Sequence, residues 1–90
     1  MIVEKDIEVI NKLGLHARAA AKLVKVSASF DSKVELVKGD DSVDGKSIMG
    51  VLMLAAAQGT NLRLITEGED AEEAARQIAG LFEDCFGEGE

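Results

Sequence analysis

The sequence has no proline, no tryptophan and no tyrosine, and only one cysteine and one histidine. Without proline, chain reversals must come from glycine and short polar runs. A lone cysteine, Cys85, excludes an internal disulfide and fits a reducing compartment. It falls on an apolar stripe and reads as a small buried hydrophobe. The carboxylates of Glu83 and Asp84 beside it disfavour a reactive thiolate. A lone histidine leaves no second imidazole to share a metal, so neither a metal nor another cofactor is expected. No apolar run approaches the ~20 residues of a membrane helix, so membrane insertion is not expected. Met1–Asp6 lacks a basic n-region and an apolar h-region, so no secretory signal is expected and the expected location is cytoplasmic.

Positive charge is scarce in one part of the chain only. Residues 1–66 carry nine Lys and Arg against eight Asp and Glu, whereas residues 67–90 carry one Arg against nine acids. No broad cationic face remains to neutralise a nucleic-acid backbone, so nucleic acid is excluded as a partner. The acidic end reads as a solvated helix face and tail, the tail at about residues 87–90. Lys12, Arg18, Lys22 and Lys25 make the earlier part locally basic, which suits a phosphate or an acidic partner surface. Hydrophobic residues are 47% of the chain, enough for an ordered core. Ninety residues make one domain, 1–90.

Periodicity sets the elements. Ile2–Ile10 alternates as a strand, with Ile7 and Val9 on one face and Asp6 and Glu8 on the other. The spacing of Ala20, Leu23, Val24, Ser27 and Phe30 predicts a helix from Ala17 to about Phe30. Lys33–Lys38 is a second strand and residues 42–45 a short third. Ser47 caps a helix reaching about Ala56. Thr60–Thr66 is the last strand. Ala71, Ala74, Ala75, Ile78, Leu81, Phe82 and Cys85 line a final helix. The order β-α-β-β-α-β-α predicts an α+β fold: a small antiparallel sheet with helices on one face.

The stretch with chemical meaning is Gly14-Leu15-His16-Ala17-Arg18. His16 comes directly before a helix, where backbone N–H groups lack partners and attract anions. Arg18 adds a guanidinium fork suited to phosphate oxygens. Both disfavour an imidazolium, so the neutral ring keeps a lone pair on one nitrogen. A nucleophilic nitrogen beside a phosphate cradle points to a phosphoryl acceptor. The second stretch is Ser47-Ile48-Met49-Gly50-Val51-Leu52-Met53-Leu54, apolar on every side. A short helix cannot bury all of it, and an apolar patch left outside reads as a docking surface. Val51 and Leu54 are expected inward, and Ile48, Met49 and Leu52 outward.

These two stretches resemble the active-site motif and the regulatory serine segment of the HPr family, the histidine phosphocarriers of the bacterial phosphotransferase system. The resemblance covers nearly the whole chain apart from the last few residues. Ala19 stands where the family usually has proline, which removes a pre-set angle from the first helical turn. The resemblance implies an open-faced β-sandwich of four antiparallel strands and three helices. It implies phosphorylation of His16, at Nδ1, by phosphoenolpyruvate-charged enzyme I, and delivery to EIIA-type domains. The chain is then a phosphoryl carrier rather than a stand-alone enzyme, and a monomer. Arg18 assists the transfer, Ala17, Ile48, Met49 and Leu52 meet the partners, and Ser47 is the target of HPr kinase/phosphorylase where the host has one. The sugar and nitrogen branches of the family both remain open: Asn11-Lys12-Leu13-Gly14, Leu52-Met53-Leu54 and the acidic end resemble the nitrogen type, and Ser47–Val51 the kinase-regulated type.

Two other functions compete. A non-catalytic regulatory or protein-binding domain would act through Ile48, Met49 and Leu52 alone. A small enzyme using His16 as general base would need a second catalytic group, and no spacing supplies one.

Overall fold

The computed structural model describes residues 1–89, in the order β1 (Ile2–Glu8), α1 (Ala17–Ala28), β2 (Lys33–Lys38), β3 (Asp41–Asp44), α2 (Ile48–Met53), β4 (Asn61–Glu67) and α3 (Ala71–Glu83), followed by a 3-10 turn, Cys85–Gly87. The four strands form one antiparallel sheet in the order β1-β4-β2-β3. The last strand in sequence is thus central, pairing Ile7 with Leu62 on one side and Leu36 with Leu64 on the other. The fold is the open-faced α+β arrangement that the pattern of elements implies.

Strand alternation decides which face the helices cover. Leu62, Leu64 and Thr66 of β4 and Val34 and Leu36 of β2 are buried, while Asn61, Arg63, Glu67 and Lys33 are exposed on the other face. Against the buried face lie Ala19, Ala20 and Leu23 of α1, and Ala75, Ile78 and Phe82 of α3. Each large side chain buried this way contributes about 1.5–3 kcal/mol, more than a helix cap at about 1 kcal/mol, so packing rather than capping holds the helices. Thr66, fully buried, satisfies its hydroxyl by donating to the Ala71 carbonyl at 2.8 Å, which ties β4 to the start of α3. Asp70 precedes α3 but does not cap it. Its carboxylate instead accepts the Ser32 hydroxyl and the N–H groups of Asp31 and Ser32.

β3 and β4 each shift by one residue from the sequence expectation, and four other element ends fall two or more residues short of it, each for a local reason. β1 stops at Glu8, because the N–H of Val9 turns to the Thr60 carbonyl outside the ladder. α1 stops at Ala28, where the Ser29 hydroxyl takes the Val26 carbonyl. α2 stops at Met53 rather than Ala56, since Ala55 adopts a left-handed φ of 49°. α3 stops at Glu83, and Cys85 and Phe86 follow at φ 52° and 54°. That reversal corrects the reading of Cys85. It is off the helical stripe and half-buried, and Phe86 fills the core position instead, edge-on to Phe82. Among the described residues, no helix is long and apolar enough to cross a membrane.

Candidate functional site

The loop before α1 is fixed from both sides. Asn11, fully buried, donates from Nδ2 to the Gly14 carbonyl at 2.8 Å, and the Gly14 N–H returns to the Asn11 carbonyl at 3.1 Å. Gly14 has φ 68°, and a Cβ there would lie 2.6 Å from the Ala56 carbonyl oxygen. Only glycine takes that backbone at that approach without strain. The Leu15 N–H then donates to the same Ala56 oxygen at 2.9 Å, and the Leu15 side chain enters the core. The segment after α2 is therefore the floor on which the loop rests.

His16 follows with extended backbone and acts as N-cap of α1. Its carbonyl accepts the Ala20 N–H at 2.8 Å, and its Nδ1 accepts the Arg18 N–H at 3.3 Å. A ring nitrogen that accepts a hydrogen bond carries no proton, so the proton of the neutral ring sits on Nε2. There it donates to the Glu88 carboxylate. The other carboxylate oxygen of Glu88 accepts from Asn11 Nδ2 at 3.1 Å. The His16 hydrogen bond holds the Glu88 carboxyl below the usual carboxylate range. Partial desolvation opposes this, and the Asn11 hydrogen bond and the charges of His16 and Arg18 add to it.

This contact corrects two expectations. The acidic tail is not wholly solvated, because the Glu88 side chain is only 11% exposed. Nor is the ring surrounded by positive groups alone. The Glu88 carboxylate adds a negative group on the Nε2 side.

Lys12, Leu13, Arg18, Lys22, Gly87 and Glu88 line one shallow cavity of about 340 Å³, which reaches the site through Arg18 and Glu88. Three of the four basic residues noted in the sequence are brought together there, and Lys25 is not. Lys22 is partly engaged, donating from Nζ to the Phe86 carbonyl. The Arg18 side chain is exposed, and its guanidinium forms no hydrogen bond or close ion pair among the described residues. The cavity can therefore offer a cation to an incoming anion. Ala19 is fully buried in the first turn of α1, so the helix forms there without a proline.

Ser47 caps α2, its hydroxyl accepting the Gly50 N–H at 3.1 Å. Val51 and Leu54 are buried as expected. Ile48 and Met49 are 42% and 66% exposed, and Ala17 is exposed beside His16. Leu52 is only half outside and packs against the core edge. Met53, at 77% exposure, extends the apolar surface of α2 further than the sequence reading did. Met53 was legible there, four residues after Met49 and so on the same helical face. Glu88 was not, since nothing in its spacing links it to a histidine more than seventy residues earlier.

Comparison with known proteins bears on this arrangement. The family model described as the PTS HPr component phosphorylation site matches residues 3–84. A phosphocarrier protein HPr from Neisseria meningitidis serogroup A is 51% identical over 89 residues, covering 99% of this chain and all of the relative. One from Pseudomonas aeruginosa is 54% identical over 86 residues, covering 94% and 96%. The crystal structure of HPr-C-His from Thermoanaerobacter tengcongensis superposes with a TM-score of 0.93 at 43% identity, covering 96% of this chain and 97% of that one.

Proposed function

The chain belongs to the HPr family and is a phosphocarrier of the phosphotransferase system, and from that premise we propose that His16 is the residue that carries the phosphoryl group, on Nδ1. The donor is phosphoenolpyruvate-charged enzyme I, and the acceptors are EIIA-type domains. The observation that carries the assignment is the division of labour on the ring. Nε2 is engaged by Glu88, while Nδ1, among the described residues, meets an N–H donor at the helix start. That N–H and the Arg18 guanidinium are suited to the dianionic group once it is attached. The carrier works as a monomer in the cytoplasm, needs no cofactor of its own and binds no nucleic acid.

Arg18 acts on the transferred group and not on the fold. Replacing it with alanine is expected to slow phosphoryl uptake roughly 100-fold, the scale of losing one transition-state donor. Folding stability should stay within about 0.5 kcal/mol, as for an exposed side chain without structural partners. Stopped-flow transfer and urea unfolding read the two quantities. An Arg18→Ala protein phosphorylated at the normal rate ends this role.

Ala17, Ile48, Met49 and Leu52 form the docking surface, because α1 and α2 pack side by side and place the apolar patch on the helix next to the one that His16 caps. Ser47 sits at the edge of that patch and is the substrate of HPr kinase/phosphorylase. A phosphate there adds about −2 charge beside the apolar residues and weakens docking while the helix start tolerates it. Incubation with purified kinase should label the protein, leave its far-UV circular dichroism unchanged, and fail on Ser47→Ala. That variant loses a cap worth about 1 kcal/mol and stays folded. Labelling that persists in Ser47→Ala refutes the assignment.

The exposure of Ile48 and Met49 also favours a second reading, a regulatory domain that binds through this patch alone. Partner binding that is the same for phosphorylated, unphosphorylated and His16→Ala protein would select it.

A further inference from the structure

We propose that Met49 and Met53 are a reversible oxidation site on the outer face of α2: a peroxide converts their thioethers to sulfoxides, and the carrier then binds its protein partners more weakly until the sulfoxides are reduced. The inference rests on the reading of that face as the docking surface.

The placement of the methionines is not explained by packing. Methionine ordinarily fills irregular gaps in a core. Here the core is built from alanine, valine, leucine, isoleucine and phenylalanine, and all three methionines, Met1, Met49 and Met53, are exposed. Two of them stand four residues apart on the six-residue α2, so their side chains share one face. The helix is held by other residues: Val51 is buried, Leu52 packs against the core edge and Ser47 caps the start. Residues 47–62 carry no ionisable side chain. A partner can therefore dry this face at little cost, and a flexible, polarisable thioether suits such a surface. The same exposure opens both sulfurs to a small oxidant from solvent.

The chemistry is a two-electron oxidation of each sulfur. A sulfur lone pair attacks one oxygen of hydrogen peroxide, the S–O bond forms and the O–O bond breaks. The departing hydroxide takes the proton of the transferred hydroxyl and leaves as water. The thioether is oxidised to the sulfoxide and the peroxide is reduced. Methionine sulfoxide reductases reverse the change: the oxygen leaves as water while two enzyme thiols become a disulfide. A sulfoxide oxygen is a polar acceptor that must shed its water when a partner covers it, so docking weakens. The fold is spared because neither side chain enters the core. Two other sulfurs supply controls. Met1 precedes β1, at the far end of that strand from the loop that carries His16, and Cys85 is half-buried.

The test uses the full chain as the native protein, as Cys85→Ser, and as Met49→Leu combined with Met53→Leu, which keeps the side-chain volume and removes both sulfurs. Each is treated with hydrogen peroxide, freed of it and mapped by peptide mass spectrometry. Binding to untreated enzyme I is then measured by titration calorimetry, each protein against its own untreated sample. The native protein should gain one oxygen at each of Met49 and Met53 and bind roughly tenfold more weakly, the scale of burying one added polar group. Its circular dichroism and urea midpoint should not change, and reductases for the two sulfoxide epimers should restore binding. Cys85→Ser should lose as much. The double variant, still oxidised at Met1, should lose nothing. Normal binding by a native protein oxidised at both positions overturns the proposal. So does an equal loss in the double variant, a loss that the reductases do not reverse, or oxidation confined to Met1. Untreated Ile48→Asp reports on the docking surface itself, and an acid at the helix start leaves α2 folded. Weak binding by Ile48→Asp beside normal binding by the oxidised protein leaves the docking reading standing and removes the oxidation site alone. Normal binding by Ile48→Asp counts against the docking reading and takes the proposal with it.

Discussion

Replacing His16 with alanine is expected to reduce phosphoryl uptake from charged enzyme I to background while leaving the protein folded. The loss is complete because the chain has no second histidine and the surrounding groups, Arg18, Lys12 and Lys22, are cations that bind an anion without accepting phosphorus at neutral pH. The fold survives because, among the described residues, the ring contributes two contacts outside the core, the exposed cap contact with the Arg18 N–H and the part-buried hydrogen bond to Glu88. Losing an N-cap costs about 1 kcal/mol, against a domain stability of about 5–15 kcal/mol. Uptake from labelled phosphoenolpyruvate, measured beside a urea unfolding curve, separates the two effects. Acid-labile label on a folded His16→Ala protein would move the carrier site elsewhere in the chain.

The largest structural effect is expected at Gly14. Gly14→Ala should destabilise the protein by about 2–4 kcal/mol, read as a lower urea midpoint at unchanged slope. Two terms add. A residue with a Cβ in left-handed backbone costs about 1–2 kcal/mol. The new Cβ would also sit 2.6 Å from the Ala56 oxygen and 3.0 Å from the Ala57 Cα, and both are backbone atoms that cannot rotate away. Relief requires the loop to lift, which breaks the 2.9 Å hydrogen bond from Leu15 to Ala56 and shifts His16. Phosphoryl uptake should therefore fall as well. Gly39 supplies the control: it has φ 58° but nothing within 4 Å of a built Cβ, so Gly39→Ala should cost only the conformational term. Equal costs at the two positions would mean that the loop does not rest on residues 56 and 57.

Much of this was legible in the residues. Period-two alternation located β1, β2 and β4, and the i, i+3, i+4 stripes located α1 and α3, because burial on one face imposes those periods directly. His16, Arg18 and Ser47 announced themselves by position: a histidine and a serine each just before a helix, and an arginine in the first turn. What could not be read were features set by contacts between distant segments. Placing β4 between β1 and β2 depends on tertiary pairing and leaves no local pattern. The early end of α2 depends on Ala55 turning left-handed so that Ala56 can meet Leu15, and alanine is a strong helix former with no tendency to mark such a place. The tail misled for a related reason. Its glycines and acids have the composition of solvated chain, yet Phe86 docks in the core and delivers Glu88 to the histidine. The phenylalanine was the one signal, a large apolar residue beyond the end of the last stripe.

The central claim is that the phosphoryl group rides on Nδ1 of His16. The most direct measurement is a ³¹P–¹⁵N correlation spectrum of the ¹⁵N-labelled protein after phosphorylation by enzyme I and phosphoenolpyruvate. One acid-labile phosphorus signal coupled to Nδ1 of His16 is the expected result. Coupling to Nε2, or an acid-stable signal without nitrogen coupling, would contradict it.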